Sequence, residues 1–220
     1  TIPGLYAIGE ANFSDHGANR LGANSLLSAA YGGYAAGPSI VEYVQGLDST
    51  YESVDEATVK DALARDRAEY EGILKLDGPV NPYVLHEELG ALMTENVTIV
   101  RENAKLAATY EKLFDIAERY QHIGIDDRST WSNLTAPFVR QLGGMIDLAK
   151  VITLGALNRN ESRGSHYKPE FPDRNDEEWL KTTMASYDAA ADAPVLSYEP
   201  VDVSLIKPRK RDYTKTKKEA

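Results

Sequence analysis

The sequence predicts a mainly α-helical protein built as an antiparallel bundle of three or four helices. An N-terminal strand–loop–helix remnant of an α/β domain precedes the bundle, and a small β hairpin follows it. Three observations carry that prediction. Apolar residues recur every three or four positions between residues 53 and 158, in stretches separated by turn-forming residues. The short apolar run Leu5-Tyr6-Ala7-Ile8 stops at Gly9-Glu10 and leads through a glycine-bearing loop into small residues at helical spacing, the order in which an α/β sheet presents its carboxyl edge to a ligand. Near the end, the runs Trp179 to Ala185 and Val195 to Val201 flank an Ala/Asp-rich connection, which reads as a hairpin.

In chain order, a helix of small residues is expected from Asn24 to Gln45, with Gly37-Pro38 as a kink and Ile40, Val41 and Val44 continuing an apolar face. Its adjacent Gly32 and Gly33 each cost roughly 1 kcal/mol relative to alanine, so close packing must favour them. Residues 46–53 form a polar turn and a domain boundary. Ser53 and Glu56 have the spacing of a capping box ahead of a helix to about Leu76, which Asp77-Gly78-Pro79 ends. Pro82 opens the next helix, with Leu85, Leu89 and Leu92/Met93 on one side. A third runs from about Arg101 to His122 with Leu106, Tyr110, Leu113, Ala117 and Tyr120 as its stripe. The fourth starts near Asn133 or Thr135 and reaches Asn158, with Leu134, Phe138, Leu142, Met145, Leu148/Ala149, Ile152 and Ala156 on the expected buried side. Three parts result: 1–46, 47–160 and 161–220.

Composition narrows the function. A net charge of −10 argues against a nucleic-acid groove. No apolar run is long enough to span a bilayer. The absence of cysteine excludes disulfides, iron–sulfur ligation and thiol chemistry within these residues. The chain starts at Thr1-Ile2-Pro3 without an initiator methionine or a leader pattern, which reads as a piece of a longer protein. Only the tail is basic, with seven Lys or Arg among the twelve residues from Lys207 to Lys218, a run expected to be solvated.

Within the loop of residues 9–24, Arg20 is the one side chain with a permanent charge able to grip a carboxylate through two parallel hydrogen bonds. Gly17 and Gly22 allow the backbone to approach a planar ligand. Asn24, Ser25 and Leu26 place free N–H groups at a helix N-terminus, which favours electron-rich atoms. His16 has the intrinsic pKa of an acid or base but more simply shapes the loop. Downstream, Glu161, Arg163, His166, Asp173 and Arg174 lack ligand-like spacing for a metal and read as a salt-bridged junction fixing the C-terminal region. His86 and His122 read as surface or helix-packing residues.

The runs GLYAIGE and HGANRLGANSLL, together with NRNESRGSHYKPEFPDRNDEEWL from Asn158 to Leu180, resemble the flavoprotein subunit of succinate dehydrogenase and fumarate reductase. The run from Asn158 to Leu180 looks like that family's ESRGAH...D-P-RDD...W signature, with Ser165 where the motif has alanine. The resemblance covers the whole chain but only the last third or so of such a subunit. It implies that residues 1–46 end an FAD-binding domain, with Glu10, Asn24, Ser25 and Leu26 as cofactor-binding residues and Arg20 and His16 as substrate-binding residues. No catalytic proton donor and no metal ligand is implied among these residues. The implied activity is oxidation of succinate to fumarate, or the reverse, by hydride transfer with FAD. Electrons would pass to an iron–sulfur subunit and then to quinone through a membrane anchor subunit, at the cytoplasmic face of the inner membrane. L-aspartate oxidase shares the HGANR and ESRG elements, and a non-catalytic helical docking module is a further alternative. The G-x-G-x-x-G fingerprint for the ADP half of FAD is absent, so the chain alone is expected to be inactive.

Overall fold

A computed structural model of the chain describes residues 2–209. Most of the predicted basic tail therefore lies outside the described residues. Six helices and one hairpin account for the regular structure described: α1 Asn24–Gln45, α2 Glu56–Ile73, α3 Pro82–Asn96, α4 Asn103–Tyr120, α5 Thr135–Asn158 and α6 Asp176–Trp179, then β1 Lys181–Asp188 and β2 Ala193–Pro200. Two compact units divide the chain, Thr1–Arg174 and Asn175–Ala220.

Helices α2 to α5 form the predicted bundle in the first unit: α4 packs on α5, α3 on both, and α2 on α5. Its core is Leu85 and Leu89 of α3, Leu113 and Ile116 of α4, and Val139, Leu142 and Ile146 of α5. Local side chains start α3 and α5. Asn81 accepts from the Tyr83 and Val84 amides at 2.9 and 3.3 Å, ahead of Pro82, whose missing N–H falls where no partner exists. Asn133 accepts from the Ala136 amide at 2.9 Å and donates to the Asp127 and Ser129 carbonyls, so this buried amide is satisfied on both ends. Helix α4 has no cap of its own at Glu102. Glu170 supplies it, accepting from the Asn103 amide at 2.8 Å from 67 residues away.

Two connections cross at a pair of glycines. Segment 77–80 runs against 122–125, with Gly78 N–H donating to Ile123 and Gly124 N–H donating to Val80. A Cβ on Gly78 would collide with the His122 carbonyl, and one on Gly124 with the Gly78 carbonyl.

Several details differ from the sequence reading. The cap of α2 is Asp55, whose carboxylate accepts from the Thr58 amide at 3.2 Å, while Ser53 closes a short 3-10 turn on the Thr50 carbonyl. On α5 the buried face is Ala136, Val139, Leu142, Ile146, Ala149, Thr153 and Ala156, and Leu134, Leu148 and Ile152 are exposed. That helix is apolar on two adjacent stripes, and packing against α4 selects the one with smaller residues. The run at 5–8 is not in a ladder among the described residues, although Ile8 is extended. It lies instead along the small face of α1, where Gly32 leaves room for Ile8 and Tyr6 meets Tyr43 edge-on at 6.5 Å. Helix α1 continues through Pro38 without a break in its assignment.

In the second unit, Asn175 accepts from the Glu178 amide at 3.1 Å and starts the single turn of α6. Strands β1 and β2 pair antiparallel from Lys181 opposite Pro200 to Asp188 opposite Ala193, the hairpin expected from sequence. Lys181 Nζ sits 4.3 Å from the Tyr198 ring centre and 4.6 Å from that of Trp179.

Candidate functional site

The two glycine-bearing sequence runs meet in the first unit. Ser165 donates to the Ala18 carbonyl through its hydroxyl at 3.1 Å and its amide at 3.4 Å. Gly164, at φ +61°, presses against the same peptide: a Cβ there would lie 2.8 Å from the Ala18 carbonyl carbon and oxygen. Residues 163–166 form a tight turn, with the Arg163 amide donating to the His166 carbonyl at 2.8 Å and the reverse bond at 3.0 Å. A left-handed glycine at the first corner suits a hairpin of this length.

Below the turn is a buried ionic and polar cluster. The fully buried Glu161 receives Arg159 Nη1 at 2.6 Å, Arg163 Nε at 2.8 Å and Arg163 Nη2 at 2.9 Å. Such a carboxylate is tolerated because both oxygens are bonded to charged donors. Buried His166 lies between Arg101 Nη1, 2.7 Å from Nδ1, and the Arg159 carbonyl, 3.0 Å from Nε2. Arginine can only donate, so Nδ1 accepts and Nε2 carries the proton. Burial, reinforced by the nearby cations, pushes this imidazole down to about 4 against the pull of its Arg159 carbonyl bond. Buried Lys168 closes the C-terminal end of α5, donating to the Leu157 carbonyl at 2.9 Å and to Asn160 Oδ1 at 3.1 Å. Burial lowers its ammonium to about 8.

The predicted ligand-binding residues lie on the loop of residues 9–24 and in the first turn of α1. Residues 9–16 wind into a 3-10 helix that carries Glu10, which is exposed. His16 is half-buried, its Nε2 3.6 Å from Asp15 Oδ1, and Asp15 in turn accepts from Ser28 at 2.9 Å. Arg20 is exposed and makes no side-chain hydrogen bond or ion pair among the described residues. Ala23, in the left-handed region at φ 67°, turns the chain into α1, whose N-terminus has no side-chain cap and no acidic residue in its first turn. Ser25 and Leu26 stand exposed there, Leu26 at 81%, with Asn24 half-buried beside them. Among the described residues, no group of three or more His, Cys, Asp or Glu has the arrangement of a metal site.

A family model described as fumarate reductase flavoprotein C-term matches residues 86–213. The chain belongs to the succinate dehydrogenase and fumarate reductase flavoprotein family. The succinate dehydrogenase flavoprotein subunit of Bacillus subtilis is 55% identical over 98% of the chain and 37% of its own length. The fumarate reductase flavoprotein subunit of Haemophilus influenzae is 34% identical over 96% of the chain and 35% of its own length. A solved E. coli quinol fumarate reductase mutant superposes with a TM-score of 0.85 at 30% identity, over 95% of the chain and 35% of its own. The chain thus spans about a third of the length of the relatives it matches.

Within this flavoprotein chain, sequence reasoning grouped Glu161, Arg163, His166, Asp173 and Arg174 but missed Arg101, Arg159, Lys168 and Ala18. Arg159 stood in the quoted run beside Glu161 and could have been paired with it by charge. Arg101 comes from a helix start 65 residues before His166, and no local pattern announces that contact. The same holds for Ala18 and Ser165, 147 residues apart.

Proposed function

We propose that this chain is the C-terminal part of a flavoprotein subunit that oxidises succinate to fumarate, or runs the reverse. Residues 1–46 then close the FAD-binding domain, 47–160 form the helical domain, and 161–220 a small C-terminal region. The observation that supports this reading is Arg20: an exposed guanidinium without a protein partner among the described residues, on a loop pinned by Ser165 two residues earlier. A planar fork carried on a braced backbone suits a carboxylate, which it holds in one orientation by two parallel bonds. Holding a four-carbon diacid by one end aligns its central C–H bonds for transfer, which is where positioning lowers the barrier.

The residues present fit FAD. The uncapped N-terminus of α1 offers amide donors to an electron-rich ring edge, and Gly17 and Gly22 have open space where a Cβ would stand. Glu10 is exposed to accept from a hydroxyl, and Ser25 and Leu26 line the same end of the helix. FAD, when bound, supplies the two-electron acceptor for the hydride. His16, braced by Asp15, faces the substrate side of the loop in this reading. Electrons leave through an iron–sulfur subunit and reach quinone at a membrane anchor subunit. The flavoprotein itself is peripheral at the cytoplasmic face of the membrane, and no helix among the described residues is long and apolar enough to cross one.

Arg20→Lys in the full-length subunit, assembled with its partners, tests the reading. Succinate-dependent dye reduction is expected to fall by about 100-fold or more with flavin absorbance retained, because lysine keeps the charge and loses the fork. Turnover at the wild-type level rejects the clamp.

A further inference from the structure

We propose that the Gly164–Ser165 turn is a positioning element for Arg20, setting where the guanidinium meets the substrate carboxylate. The inference rests on the reading of Arg20 as the clamp. Among the described residues, the other backbone hydrogen bonds of the loop 17–23 are local, Gly17 to Ser14 and Asn24 to Leu21. Its long-range tie is the Ala18 carbonyl, which receives both the hydroxyl and the amide of Ser165. That carbonyl lies two residues before Arg20.

The turn can act as a rest for the loop because it does not give. Arg163 and His166 close it with two backbone bonds, and Glu161 holds Arg163 by a bidentate contact while also holding Arg159. His166 is fixed from below by Arg101 and the Arg159 carbonyl. The braced turn therefore transmits its own position to the Ala18 peptide. Gly164 is suited to that contact on two independent counts: its φ of +61° disfavours any side chain, and a Cβ would stand 2.8 Å from the Ala18 carbonyl atoms. A methyl group at 164 must displace either the turn or the Ala18 carbonyl. Since the turn is held by buried charged bonds and the loop by local ones, the loop moves. The consequence falls on Arg20 and not on the flavin-side residues 24–26, which follow the turn at Ala23.

The test is a double-mutant cycle in the full-length subunit with its partners, using Gly164→Ala, Arg20→Ala and both together. The readouts are KM for succinate, affinity for malonate as a non-reacting dicarboxylate, and flavin content. Gly164→Ala is expected to raise KM and weaken malonate binding by about tenfold with flavin content unchanged, and to add nothing further when Arg20 is already alanine. A structural defect unrelated to the clamp would instead reduce activity equally in both backgrounds, and that result overturns the proposal. If Arg20→Ala weakens dicarboxylate binding and Gly164→Ala does not, positioning fails while the clamp stands. If Arg20→Ala itself leaves binding unchanged, clamp and positioning fall together. Should Gly164→Ala not accumulate, Ser165→Ala, which removes the hydroxyl bond alone, decides. An increase in KM of about threefold that disappears with Arg20→Ala supports the proposal, and no increase rejects it.

Discussion

Helices α1 and α5 are close in length and both rich in apolar and small residues, yet α5 buries eight residues and α1 none. In α5 the chain supplies its own cover, since α2, α3 and α4 all pack against it. Among the described residues, the 3-10 segment and the run before it lean on one side of α1, and Leu26, Leu27, Tyr31, Tyr34 and Val41 are exposed. Apolar periodicity thus marks a face that gains by burial, while the surface that covers it is set by the rest of the fold. The bundle meets that need within the described residues and holds its position by packing. The α1 region buries no residue of its helix, is tied to the Gly164 turn through the Ala18 carbonyl, and carries the candidate ligand-binding residues.

The sharpest way to break this contrast uses two glycines. Gly124→Ala forces a methyl into the Gly78 carbonyl and is expected to cost more than about 4 kcal/mol. Gly33→Ala on α1 meets open space and is expected to stabilise by up to about 1 kcal/mol through helix propensity. Urea unfolding of the chain reads both, and a wild-type midpoint for Gly124→Ala would refute the crossing. Next in size are two leucine truncations. Leu113→Ala opens the bundle core and is expected to cost about 3 kcal/mol, against less than about 0.5 kcal/mol for Leu26→Ala. Equal losses by thermal unfolding would show that α1 is as tightly integrated as α4.

The smallest effect is in pH. His166 titrates near 4 in the fold, below its ordinary 6.5, so as pH falls through 6.5 the unfolded chain takes the proton first. Stability should then drop progressively between pH 6.5 and 4, by at most on the order of 3 kcal/mol from this group. Above pH 6.5 the imidazole is neutral in both states and the penalty vanishes. His166→Gln should show a shallower pH dependence in that window, and an unchanged slope would mean that the ring is not held neutral by its burial.

Much of this architecture could be read from residue order. The stripe of Leu106 and Leu113 located α4, Pro82 located the start of α3, and the paired β-prone runs marked the hairpin, whose register came from the structure. The face of α5 was misjudged because Leu134, Leu148 and Ile152 are as apolar as the residues that are buried, and burial of Lys150 and Thr153 had no signal at all. Asp55 took the cap expected of Ser53 because both lie within one turn of the helix start and backbone geometry chose between them. In the candidate site, Arg20, Glu10, Ser25 and Leu26 were singled out through contiguous motifs. The brace behind them joins residues from three separate stretches, around Ala18, Arg101 and 159–168, and sequence separation hides such contacts however strong they are.

The cap on α4 imposes an order of events during synthesis. Helix α4 leaves the ribosome with its first amides bare, and the carboxylate that completes them is polymerised 67 residues later. The bond from the Asn103 amide to Glu170 can therefore form only after the segment that carries Glu170, and with it the Gly164 turn, has been made and has come back to the head of α4. The cap of one bundle helix and the turn that seats the Arg20 loop thus sit on one short stretch of chain, at Glu170 and at Gly164–Ser165.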